Sequence, residues 1–163
     1  MALANEYCRA LELASSGEPL QFVTTMTRLL PRIYIAVGDL QLSEDFEPEY
    51  AFASAHLEEV YYDEVRTNIA TLLGEHDAYL DTFHEDMQYS DTPIAATISE
   101  ALADIFQVMF DFVEDVRDAA REQVKEHLLE LRQTYRDYWS ETLCNVMRPL
   151  NQYLQNPPQL DEE

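Results

Sequence analysis

Residues 92–118 read TPIAATISEALADIFQVMFDFVEDVRD. In this stretch Ile94, Ile98, Ala101, Ile105, Met109, Phe112 and Val116 recur at steps of three and four residues, the period of a helix with one apolar face. The preceding Ser90-Asp91-Thr92-Pro93 reads as a start signal. Thr92 can cap the helix, and Pro93 takes the first helical position, where its missing amide donor costs nothing. The spacing thus predicts a helix over 93–118. Glu100, Asp104, Asp111, Asp115 and Asp118 fall away from the apolar seam and form an acidic stripe, a candidate interaction surface.

The same period extends in both directions. Leu3, Tyr7, Leu11 and Ala14 mark a helix over 2–15. Phe22, Met26, Leu29, Ile33 and Val37 mark a second, with a kink expected at Pro31 and Gly38 as its C-cap. Leu57, Val60, Tyr61, Val65, Ile69 and Leu72 mark a third over 57–73, stopped by Gly74, and a short helix is predicted over 75–88. A last helix, 120–154, uses Val124, Leu128, Leu131, Tyr135, Trp139, Leu143, Val146, Leu150 and Leu154, with a late bend at Pro149. Residues 39–56 break the pattern. They carry five acids together with Leu40, Leu42, Phe46, Tyr50 and Phe52, and read as a long loop folded back on the bundle. The fold class is all-α: a single-domain, mostly antiparallel bundle of five to six helices, with a long acidic loop after the second helix. The bundle spans 1–156, and 157–163 form a short, acidic, disordered tail.

Composition narrows the function. The 163 residues hold 32 acids against 10 lysines and arginines, a formal charge of −22, with only three scattered glycines. Phosphate-cradling loops and nucleophile elbows need clustered glycines, so both are excluded. The negative charge opposes nucleic acid and anionic membranes and favours a basic protein partner. No apolar run reaches bilayer length, and Met1-Ala2-Leu3-Ala4-Asn5-Glu6 lacks the basic start of a signal peptide. Cys8 and Cys144 read as two reduced thiols of a cytoplasmic protein. A homodimer is compatible with seams this rich in Tyr and Phe.

The sharpest candidate chemistry is Asp77, Asp81 and His84. On a helix these share one stripe, and two carboxylates with an imidazole suit a divalent cation such as Mn²⁺, Fe²⁺ or Zn²⁺. His76 lines up with Leu80, Phe83 and Met87 and is expected to pack on the core, whereas His56 and His127 show no partner pattern. Glu58-Glu59 resembles the paired glutamates of all-helical nucleotide pyrophosphohydrolases, but the next ligand positions hold Tyr62 and Asp63. Arg121, Lys125, Arg132 and Arg136 share one arc beside the last seam and are expected to pair with acids on neighbouring helices.

With Leu73-Gly74-Glu75-His76-Asp77-Ala78-Tyr79-Leu80, Ser90-Asp91-Thr92-Pro93-Ile94-Ala95 and Tyr138-Trp139, the chain resembles a family of small all-helical bacterial proteins catalogued as a domain of unknown function. The resemblance covers roughly residues 20–155 and implies a helical bacterial cytoplasmic protein. It supplies no activity, cofactor or catalytic residue. The reading that follows is a non-catalytic protein-interaction or regulatory module without a cofactor. The alternative is a metal-dependent enzyme acting on a small phosphorylated or nucleotide substrate through helix-borne carboxylates.

Overall fold

The seam over residues 94–116 does become the central helix, but it starts later than its apparent signal. The computed structural model describes residues 1–42, 54–81, 85–89 and 91–158. Its helices are α1 (Ala2–Glu12), α2 (Pro19–Gly38), α3 (Glu59–Leu73), α4 (Ile98–Arg117), α5 (Arg121–Thr134) and α6 (Ser140–Gln155). A π-helical turn, Tyr135–Trp139, joins α5 to α6 without a break. Residues 43–53 of the expected acidic loop and 159–163 of the expected tail lie outside the described residues.

Helix α4 is the hub and packs against α1, α3, α5 and α6. Its sequence is apolar on more than the expected seam, since Leu102, Phe106 and Val113 are also buried. A helix apolar over most of its surface belongs in the interior. Phe106 and Phe110 make edge contacts with Tyr61 at centroid distances of 5.9 and 5.8 Å, which fastens α3. Tyr7 of α1 is fully buried, and its hydroxyl donates to the Leu102 carbonyl at 2.8 Å. Helix α2 lies along α6 and buries Phe22, Val23, Met26, Leu29, Leu30, Ile33 and Val37. Among the described residues, no helix is long and apolar enough to cross a membrane.

Two expectations fail together between α3 and α4. The helix predicted over 75–88 is instead a 3₁₀ turn (Gly74–His76), a strand β1 (Ala78–Asp81) and a second 3₁₀ turn (Glu85–Tyr89). Residues Ile94–Thr97, assigned above to the start of the central helix, form strand β2 and pair antiparallel with β1, Ala78 opposite Thr97 and Asp81 opposite Ile94. Thr92 and Pro93 therefore precede a strand and do not cap a helix. The true N-cap is Thr97, whose Oγ1 accepts from the Glu100 amide, within the Thr-x-x-Glu spacing of a capping box. Gly74 makes the reversal possible. Its φ of 57° is the left-handed region that a side chain disfavours.

The decisive residue here is Asp77. Its carbonyl accepts the Ile98 amide at 2.8 Å, and its carboxylate accepts the Ser99 amide and hydroxyl, each at 2.7 Å. These are N-terminal donors of α4, which the helix itself leaves unsatisfied. A buried carboxylate at that positive end of the helix dipole outweighs the modest helix propensity of residues 75–88.

Candidate functional site

The stripe on α4 is where the acids collect, and the structure divides it. Glu100 and Asp118 are exposed at its ends. The three between them turn toward neighbouring elements, so the stripe is not one solvated face. Tyr62 of α3 donates to Asp104 at 2.7 Å. Burial raises the Asp104 carboxyl above its usual range, with the Tyr62 hydrogen bond acting the other way. Burial first, and the same contact second, push the Tyr62 phenol upward. One turn pair further on, the buried Asp111 accepts the backbone amides of His56 and Leu57, both at 2.9 Å. The segment leading into α3 is thus tied to α4 by a side chain, because at that point it has no regular structure to satisfy its amides.

Asp115 completes the series. Its carboxylate meets His56 Nε2 at 2.7 Å and lies 3.5 Å from His127 Nδ1 on α5. The second distance is beyond a good hydrogen bond. His127 Nδ1 is buried and has no hydrogen-bond partner among the described residues. This pair of imidazoles on one carboxylate has no signal in the sequence: His56 lies 59 residues from Asp115, so no helical spacing links them.

Beside Asp115, the facing sides of α4 and α5 leave a groove of about 310 Å³. Gln107, Asp111 and Asp115 line it from α4, His127 and Glu130 from α5, and Tyr138 from the π turn. The π turn explains how Tyr138 comes to this rim. Tyr135 and Trp139 point inward, their rings 4.8 Å apart, with Trp139 Nε1 donating to Thr134 Oγ1 and the Tyr135 hydroxyl to the Tyr34 carbonyl. Tyr138 is left 48% exposed. Its phenol is raised by burial first and by the charges of Asp104 and Asp111 second. π turns of this kind recur at functional sites.

The helix expected to align Asp77, Asp81 and His84 is not present over the described residues. Asp77 and Asp81 are not on a helix, Asp77 serves the α4 N-terminus, and His84 lies outside the described residues. Among the described residues, no three His, Cys, Asp or Glu side chains are placed to hold a metal ion. Two other expectations are corrected. His76 is exposed rather than core-packed, with its ring edge-on to Tyr153 at 5.3 Å. In the basic arc, Arg121, Lys125 and Arg136 are exposed without ion pairs among the described residues, while Arg132 donates to the Leu40 carbonyl. Both cysteines are free, Cys8 buried and Cys144 exposed. Burial, and then the charge of Glu12, push the Cys8 thiol up to about 12, the opposite of an activated nucleophile.

The domain of unknown function DUF5063 matches residues 1–156, and the chain belongs to that family. The crystal structure of protein BF1032 from Bacteroides fragilis is similar, with a TM-score of 0.77 and 28% identity, over 97% of this chain and 90% of that one. A comparison with curated proteins finds no match. The resemblance carried by residues 73–80 and 90–95 is thereby established, and it extends over the first helix as well.

Proposed function

We propose that this member of the DUF5063 family is a non-catalytic interaction or regulatory module of the bacterial cytoplasm, which recognises a basic protein partner through the acidic face of α4. One observation carries the reading. The groove between α4 and α5 is lined by Asp111, Asp115 and Glu130, and among the described residues no lysine or arginine lines it. The chain as a whole reinforces that local field, since a net charge of −22 steers cationic surfaces toward it and repels phosphate backbones.

The use made of the acids supports the same reading. Asp104 holds a tyrosine, Asp111 two backbone amides and Asp115 an imidazole, so each anchors an element against α4. A general acid or base needs its proton-bearing atom presented to a substrate. Asp111 and Asp115 instead build a wall of a negative cleft.

The test is affinity capture of the tagged chain from a bacterial host at about 0.1 M and about 1 M salt, between which the screening length falls from about 10 to about 3 Å. A basic partner retained at the lower salt and lost at the higher is the expected result. If no salt-sensitive partner appears, the electrostatic reading is wrong.

A further inference from the structure

The hairpin between α3 and α4 leaves one edge of β1 open. The Ile98 amide donates to the Asp77 carbonyl at 2.8 Å, and these two residues continue the register that sets Ala78 opposite Thr97. Bonded and non-bonded pairs alternate along an antiparallel ladder. Tyr79 and Asp81 therefore direct their amides and carbonyls at β2, whereas those of Ala78 and Leu80 point away from it. Among the described residues nothing takes them up. Across from this edge stands α6. A slot of about 380 Å³ lies between them, lined by Ala78, Tyr79 and Leu80 on one side and by Arg148, Pro149 and Gln152 on the other. Three consecutive residues share it, as they do along the edge of a strand and not on a face, where side chains alternate. The slot adjoins a narrower space of about 60 Å³ that reaches Asn145. Pro149 has no amide to give the Asn145 carbonyl one turn back, so the α6 wall too carries a carbonyl without its helical donor.

We infer that β1 takes up an extended peptide segment of a partner protein as a third strand in this slot, held by the amides and carbonyls of Ala78 and Leu80. Two donors and two acceptors set two residues apart along a strand match another extended backbone. Leu80, 66% exposed, and the exposed Ala78 share one face of β1, so the guest carries an apolar, β-branched residue beside them. A net charge of −22 opposes an acidic segment. A second copy of the chain fits less well. Paired edge to edge, it would bring its own β2 behind its β1, one strand spacing further out, where α6 stands. The slot shares no residue with the groove between α4 and α5 and does not rest on the proposed function.

The experiment is a fluorescence-anisotropy titration of the purified chain with a labelled peptide of alternating valine and threonine flanked by lysines. Binding should hold within about twofold between about 0.1 M and about 1 M salt, since backbone hydrogen bonds carry it. A twin with its central amides N-methylated keeps the side chains and the charge and should not bind. Amide exchange followed by NMR should slow at Ala78 and Leu80 on binding and change little at Tyr79, whose amide β2 already holds. Leu80→Pro removes the edge-facing amide and spares those that bond β2, so it should weaken binding about tenfold. Leu80→Val keeps that amide and should stay within about twofold. Gln152→Trp obstructs the slot from α6 without touching β1 and should also weaken binding about tenfold. If binding fades at the higher salt or survives N-methylation, the strand assignment is overturned. If Leu80→Pro and Gln152→Trp, each with the circular dichroism spectrum of the parent, leave binding unchanged, the slot is not the site. If no peptide binds and sedimentation shows a dimer that Leu80→Pro separates, a second copy takes the edge in place of a partner. A monomer that binds no peptide overturns the inference outright.

Discussion

The two ends of α4 put well-buried aspartates to opposite uses. At the N-terminal end, Asp77 is closed: one carboxylate oxygen takes the Ser99 amide, the other the Ser99 hydroxyl, and its carbonyl takes the Ile98 amide. At the C-terminal end, Asp115 is open. One oxygen is held by His56, while the other faces an imidazole nitrogen 3.5 Å away that has no hydrogen-bond partner among the described residues, beside a groove of about 310 Å³. Burial and residue type are shared, so neither separates scaffold from site. What differs is completeness. A polar network in which every atom is paired holds a fold together, whereas one left part-paired in the interior carries a continuing cost. That cost is tolerated where a ligand completes the network.

The comparison has its largest consequence at the closed end. Asp77→Ala leaves the buried Ser99 amide without its acceptor, leaves the Ser99 hydroxyl only the 3.4 Å contact to Thr97 Oγ1, and takes the carboxylate from the N-terminus of α4, the helix on which α1, α3, α5 and α6 all pack. The expected loss is about 2–3 kcal/mol, or roughly 5–10 °C in melting temperature for a chain of this size. A melt followed by circular dichroism measures it. A change of less than about 1 °C would show that Asp77 does not hold the hairpin to the helix.

The two ends also differ in how much of them could be read from sequence. The apolar seams of α1, α2 and α4, and Val65 and Ile69 of α3, were legible because each is carried by the period of its own segment, whereas Val60 is 78% exposed and Ile94 lies in β2. The role of Asp77 was not, since a carboxylate that caps a helix 21 residues downstream has no local spacing, although Thr97-x-x-Glu100 did mark the true start. The π turn left a trace that was open to reading. Leu131, Tyr135, Trp139 and Leu143 are all buried at three successive steps of four. On an ideal α-helix each such step overshoots by about 40°, so the stripe would drift by about 120°. One residue accommodated in a π turn takes up about 100° of this and returns the seam to the core. The groove depends on that turn for Tyr138, and on His56 and His127, whose meeting at Asp115 exists only in the folded chain.

At the open end the sign of a polar deletion should reverse. His127→Leu removes the buried, unpaired Nδ1, keeps an apolar side chain at a position 82% withdrawn from solvent, and raises helix propensity in α5. It also spares the hydrogen bond between His56 and Asp115. The expected result is a gain of about 1 kcal/mol, seen as roughly 2–4 °C in the melt. Loss of stability on this substitution would mean that the 3.5 Å contact with Asp115 is a working ion pair, and would erase the contrast between the two ends.

The smallest effect comes from Asp104, midway along α4, and it carries a pH signature. Burial raises its carboxyl above the unfolded value, partly offset by the Tyr62 hydrogen bond. A carboxyl raised on folding is neutral in both states at pH below its unfolded value, so it costs nothing there. As pH climbs, the unfolded chain loses the proton first, and the cost of holding the charge in the folded protein grows until the folded group has also ionised. Asp104→Asn keeps an acceptor for the Tyr62 hydroxyl and removes that charge. The variant should therefore melt slightly higher than the parent at neutral pH, with the difference fading as pH falls through the ordinary carboxyl range. An advantage that instead grew toward acid pH would mean that Tyr62 holds Asp104 below its unfolded value, placing the middle of α4 with the closed end of the helix.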